Sequence, residues 1–128
     1  MLKPSLDKWL EEAKSETLFH KCGSYVTHTG VVRSSPKALV RGTGAVSGTV
    51  KGMKFTCDHA AAAAAAETAR NFPGIYFVKI WVNEGELQVG DDILQILIGG
   101  DIRTRVMDAL DYLLNQIKNN CVKEEEIF

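Results

Sequence analysis

"NEGELQVGDDILQILIGGDIRTRVMDALDYLLNQIKNN", residues 83–120, carries the passage from sheet to helix on which the fold turns. Residues 93–98 form a short apolar run bounded by glycines, which reads as a buried strand. Behind it, Val106, Leu110, Leu113, Leu114 and Ile117 recur at steps of three and four, the period of a helix with one apolar stripe. That spacing predicts a helix from about 102 to 119. Ahead of the apolar run, residues 83–92 hold Gly85 and Gly90 and read as a turn-rich connection. Residues 74–82, GIYFVKIWV, are β-branched and aromatic and predict a strand buried on at least one face.

Working outward, residues 59–71 open on seven consecutive alanines at 60–66 and stop at Pro73-Gly74. Alanine has the highest helix propensity, so a helix follows, with a smooth face suited to close packing on a sheet. MKFTC (53–57) and CGSYVTHTGVV (22–32) predict two further strands. Ser5 caps a short N-terminal helix whose apolar positions are Leu6, Trp9, Leu10 and Ala13. The order α, β, β, α, β, β, α with short late connections predicts an α+β fold, helices packed on a largely antiparallel sheet. One domain spanning 1–128 is expected: an N-terminal helical segment at 1–20, a flexible Gly-rich loop at 34–52, and an acidic, solvated tail at 124–128.

Composition excludes several classes of function. Fifteen basic against sixteen acidic residues give a net charge of −1, so no overall field draws nucleic acid or a membrane surface. No apolar run approaches the ~20 residues that span a bilayer, and the charged N-terminus lacks a signal-peptide core. Cys22, Cys57 and Cys121 are too scattered for a disulfide framework or a zinc site. A cytoplasmic protein without metal or cofactor is the expectation.

Candidate chemistry is sparse. The loop RGTGAVSG (41–48) lacks the Lys-Ser/Thr of a phosphate-binding P-loop and leads into a strand, not a helix. Cys57-Asp58-His59 reads as a buried thiol followed by a helix cap, because adjacent side chains at such a corner rarely face each other. His20 and His28 lack partners at metal-ligand spacing. A basic set remains: Arg33 after a strand, Arg103 in a first helical turn, Lys118 near a helix end, and Lys123. Each is a surface charge unless the fold gathers them around an anion; Asp101 competes for the helix N-terminus at Arg103.

Residues 82–125 resemble the large, catalytic subunit of molybdopterin synthase, the MoaE family. The resemblance rests on the turn Gly85-Glu86-Leu87-Gln88-Val89-Gly90-Asp91, the strand after it, and the helix that follows. SYVTHTGVVR (24–33) is similar to the family's first strand, and AAAAAAETARNFPGIYFVKI (61–80) to its helix and next strand. Together these cover residues 23–125. The resemblance implies that Arg33 and Arg103 bind a phosphorylated pterin while Lys118 and Lys123 assist sulfur transfer. It also implies a small ubiquitin-like, MoaD-type partner carrying a thiocarboxylate on its Gly-Gly tail, and a homodimer that forms a heterotetramer with that partner. Ile102 stands where the family has the histidine of a His-Arg pair, and Cys121-Val122 where it has Pro/Trp character. Arg103 and Lys118 lie fifteen residues apart, about 22 Å along a helix. If both serve one site, one of them comes from a second subunit. A non-catalytic dimeric homologue that binds a ligand or partner is the competing expectation.

Overall fold

The structure is a computed structural model that describes residues 3–42 and 48–128. The elements run α1 (Leu6–Lys14), β1 (Ser24–Val31), α2 (Lys37–Arg41), β2 (Gly52–Cys57), α3 (His59–Arg70), β3 (Ile75–Val82), β4 (Gly85–Gln88), β5 (Asp92–Gly100), α4 (Arg103–Gln116) and β6 (Val122–Ile127). A 3-10 turn, Phe19–Lys21, follows α1, and a π-helical turn, Ile117–Cys121, follows α4.

The strands form two antiparallel sheets of three, in the orders β1-β5-β3 and β4-β2-β6. Eight of the nine residues of β5 are buried, because α1 covers one face of its sheet while α3 and α4 cover the other. A strand covered on both sides needs no polar alternation, so ILQILI reads as a continuous apolar run. On the α1 side, Trp9 and Ala13 meet Phe77, Trp81 and Leu97. On the other side, Ile96 and Ile98 lie under Ala65, Ala69, Val106 and Leu113, and the same cluster reaches Phe55 and Leu87 of the second sheet. Fully burying each Leu or Ile contributes roughly 1.5–3 kcal/mol, and this shared core is what joins the two sheets.

The alanine helix behaves as its composition demands. Asp58 caps α3 by accepting the Ala61 N–H at 3.1 Å. Ala62, Ala65, Ala66 and Ala69 then bury a stripe at steps of three and four against β3 and α4. Gly74 closes the helix-to-strand turn at φ +78°, where a Cβ would meet the Asp101 carboxylate at 2.4–2.6 Å. Only glycine admits both that backbone and that contact.

Four expectations need correction. Residues 124–126 are not a free acidic tail: β6 pairs with β2 from Gly52↔Ile127 to Cys57↔Val122. Its burial alternates, so Glu124 and Glu126 turn inward while Lys123 and Glu125 face solvent. The loop expected at 34–52 contains α2 and ends at the first residue of β2; its Gly-rich centre, 43–47, lies outside the described residues. The connection at 83–92 contains β4, which pairs with β2 through Gly52↔Gln88 to Phe55↔Gly85. Finally, the last helix ends at Gln116 and yields to the π turn, where i→i+5 bonding replaces the regular helix.

Candidate functional site

Arg33 and Lys118 reach one place from opposite directions. Val32 continues the line of β1: its N–H donates to Asp91 O at 3.0 Å, and its carbonyl accepts the Gly90 N–H at 2.8 Å. Val32 is buried, and Arg33, next along, emerges exposed. In the π turn, Ile117 and Cys121 sink into the core while Lys118, Asn119 and Asn120 between them stand out. The Asp58 N–H donates to Cys121 O at 2.6 Å and fastens the turn to the end of β2. Lys118 is thus held by apolar anchors on both sides of it and is free at its tip.

Both side chains line a cavity of about 270 Å³, together with His28, Lys37 and Arg41. Glu124 and Glu126 line it as well. Lys37 is half-neutralised within the wall, since its ammonium pairs with Glu124 and its backbone N–H donates to Glu126 Oε2 at 2.9 Å. Among the described residues, Arg33, Arg41 and Lys118 have no ion-pair partner. Four cations against two carboxylates leave the cavity positive. Burial first, and then the nearby Lys118 ammonium, lower the His28 pKa below its ordinary value. Its imidazole is neutral near pH 7.

The other two predicted residues lie elsewhere in the same chain. Arg103 opens α4, at the opposite end of that helix from Lys118, and is exposed. Asp101 takes the Ile102 N–H at 2.7 Å and pairs with Arg105 at 2.9 Å, so the free helix N-terminus is partly occupied by the protein's own carboxylate. Lys123 alternates with Glu124 along β6 and leaves the opposite face of the sheet. It lines a second hollow of about 550 Å³ with Cys57, Asp58, Asn119 and Asn120. The π turn divides the two hollows, since Lys118 faces one and its neighbours face the other.

Cys57 is held in its thiol form. Burial, then the charges of Glu84, Cys121 and Asp58, push its thiol up to about 11. His59 pairs with Glu84, not with the thiol. Among the described residues, no group of three His, Cys, Asp or Glu is placed to hold a metal ion, and no helix is long and apolar enough to cross a membrane.

Comparison with known proteins places this geometry. The sequence profile of the MoaE protein family matches residues 5–120, nearly the whole chain. The chain belongs to the MoaE family. Among solved structures, molybdopterin synthase from Staphylococcus aureus superposes with a TM-score of 0.74 at 19% identity, covering 100% of this chain and 88% of that one. The molybdopterin biosynthesis MoaE protein of Burkholderia ambifaria gives 0.72 at 17% identity, with 99% and 84% covered. A complex of subunits 1 and 2 of the molybdopterin-converting factor of Helicobacter pylori gives 0.67 at 16%, with 96% and 80% covered. At such identities the likeness is one of fold. No curated protein matches in sequence.

The sequence reading of this MoaE chain missed His28, Lys37, Arg41, Glu124 and Glu126 as cavity residues. One signal was present for His28: it shares the inward face of its strand with Val26 and Gly30, each two residues away from it. The glutamates gave none, because a run of three identical acids hides which of them faces inward.

Proposed function

We propose that this MoaE chain is the large subunit of a molybdopterin synthase and acts in molybdopterin biosynthesis. In this reading it transfers sulfur to cyclic pyranopterin monophosphate to form the dithiolene of molybdopterin. The sulfur comes from a thiocarboxylate on the Gly-Gly tail of a small MoaD-type subunit. One observation carries the reading: Arg33 and Lys118, 85 residues apart in sequence, line one positive cavity. The guanidinium fork of Arg33 suits a phosphate, donating two parallel hydrogen bonds. Lys118, beside other cations and without a carboxylate partner among the described residues, supplies an amine or a proton as the thiocarboxylate sulfur attacks the pterin. Arg103 enters from the second subunit of a homodimer, and Lys123 acts from the adjoining hollow. The Helicobacter pylori neighbour, a two-subunit complex, supports the small partner.

Incubating the purified protein with a thiocarboxylated small subunit and the cyclic pterin precursor tests this. Dithiolene product is expected, and Lys118→Ala lowers turnover roughly 100-fold or more with the fold unchanged. A folded protein that yields no product supports the second reading, a dimeric homologue that binds without catalysis. Three features favour that alternative: Glu124 faces the cavity where Lys123 does not, Glu126 lines it too, and Ile102 precedes Arg103.

A further inference from the structure

We propose that His28 is the titrating arm of this cavity, binding a doubly charged oxyanion together with Arg33 and Lys118 and taking up a proton as it does so. This rests on the reading of the cavity as a site for a phosphorylated ligand, and adds to it a specific residue and a proton linkage.

The argument begins with position. His28 sits mid-strand in β1, opposite Ile96 of β5, on the face turned towards the main core. A histidine at such a place is ordinarily satisfied by a hydrogen bond. Here the ring is half-buried, lines the cavity, and has no hydrogen-bond partner among the described residues. The charged groups facing the same space are Lys118 from the π turn, Arg33 after β1, Lys37 and Arg41 from α2, and Glu124 and Glu126 from β6. The two acids are engaged by α2, through the Lys37 ammonium and its backbone N–H. The imidazole therefore faces unpaired cations more than free carboxylates. When the cavity is vacant, burial first, and then the Lys118 ammonium, hold its pKa below the ordinary value.

An anion reverses the balance. A dianion seated between Arg33 and Lys118 offsets the Lys118 repulsion, which with burial keeps the proton off His28, and offers its ring an acceptor. The second ring nitrogen then protonates, and both N–H groups are donors. Binding and protonation must reinforce each other equally, so a His28 pKa raised by one unit in the complex means an anion bound about tenfold more tightly below both pKa values than above them. A phenylalanine at this position would fill the space and abolish the linkage.

Sulfate is the right probe, because it stays a dianion across the range in which phosphate itself titrates. The His28 ring resonances, identified by their loss in His28→Phe, are followed against pH with and without sulfate at constant ionic strength. Sulfate affinity is measured by calorimetry at pH 5.5 and pH 8. The expected results are a His28 pKa raised by sulfate, affinity about tenfold higher at the lower pH, and affinity independent of pH in His28→Phe and His28→Gln. Lys118→Ala, by removing a cation, should raise the His28 pKa in the free protein. A His28 pKa indifferent to sulfate, or pH dependence that persists in His28→Phe, overturns the inference. If sulfate binds and is lost in Arg33→Ala while ignoring His28, the inference fails and the anion cavity stands. If no sulfate binds, or if it binds equally to Arg33→Ala, both fail.

Discussion

Cys57 and Gly74 show how single residues answer to their surroundings. With its thiol raised from 9.0 to about 11, Cys57 carries about a hundredth of the thiolate of an ordinary cysteine at a given pH below both values. Iodoacetamide at pH 8 should therefore modify Cys57 about a hundredfold more slowly than free cysteine, as read by peptide mass spectrometry. Alkylation at the free rate would show that burial and the neighbouring acids do not suppress the thiolate. Gly74→Ala combines a left-handed backbone with a collision against the Asp101 carboxylate. A loss of roughly 1–2 kcal/mol or more is expected in urea unfolding. Asp101 also holds the start of α4, so the Ile102 amide should lose hydrogen-exchange protection in the same variant. His28 obeys the opposite linkage to a paired histidine. Its folded pKa is depressed, so the unfolded chain takes the proton first, and this group's contribution to stability falls as pH drops through the ordinary value of 6.5.

At the scale of elements, α3 makes the sharpest demand. Ala69 is fully buried where the helix meets the core. Ala69→Leu should destabilise by roughly 1–3 kcal/mol, whereas the same change at exposed Ala64 should be close to neutral. Equal effects at the two positions would mean that the stripe is not packed as described. The strongly periodic elements were legible in the sequence, because each writes its own burial pattern: the alanine helix, the strands at 75–82 and 92–100, and the stripe of α4. The polar strands were not. β4 and β6 take their strand character from pairing with β2, across separations that local composition does not record. Glu124 faces inward because Lys37, 87 residues earlier, meets it there. The site divided in the same way. Arg33 and Lys118 could be named from the resemblance, but which face of β6 carried Lys123 depended on register with β2, which residue types alone leave open.

For the whole molecule, the decisive fact is that one chain cannot gather its own basic set. Arg103 and Lys118 occupy opposite ends of α4 and its π turn, about 22 Å apart. Beside Arg103, Ile102 is 53% exposed and Met107, one helical turn on from Arg103, is 42% exposed. A second copy covering this face would bury that apolar surface, and the proposed composite site requires it also to bring Arg103 to a neighbour's cavity. In the two-fold dimer we propose, each cavity would hold Arg33 and Lys118 of one chain and Arg103 of the other. Subunit complementation tests this arrangement most directly. Arg103→Ala and Lys118→Ala are each assayed for dithiolene formation, and then as a co-refolded equal mixture. The account predicts that each alone is nearly inactive and that the mixture recovers about a quarter of wild-type turnover, because half the dimers are mixed and each mixed dimer has one intact site. A mixture no more active than its components, or an Arg103→Ala protein with full activity, would contradict it.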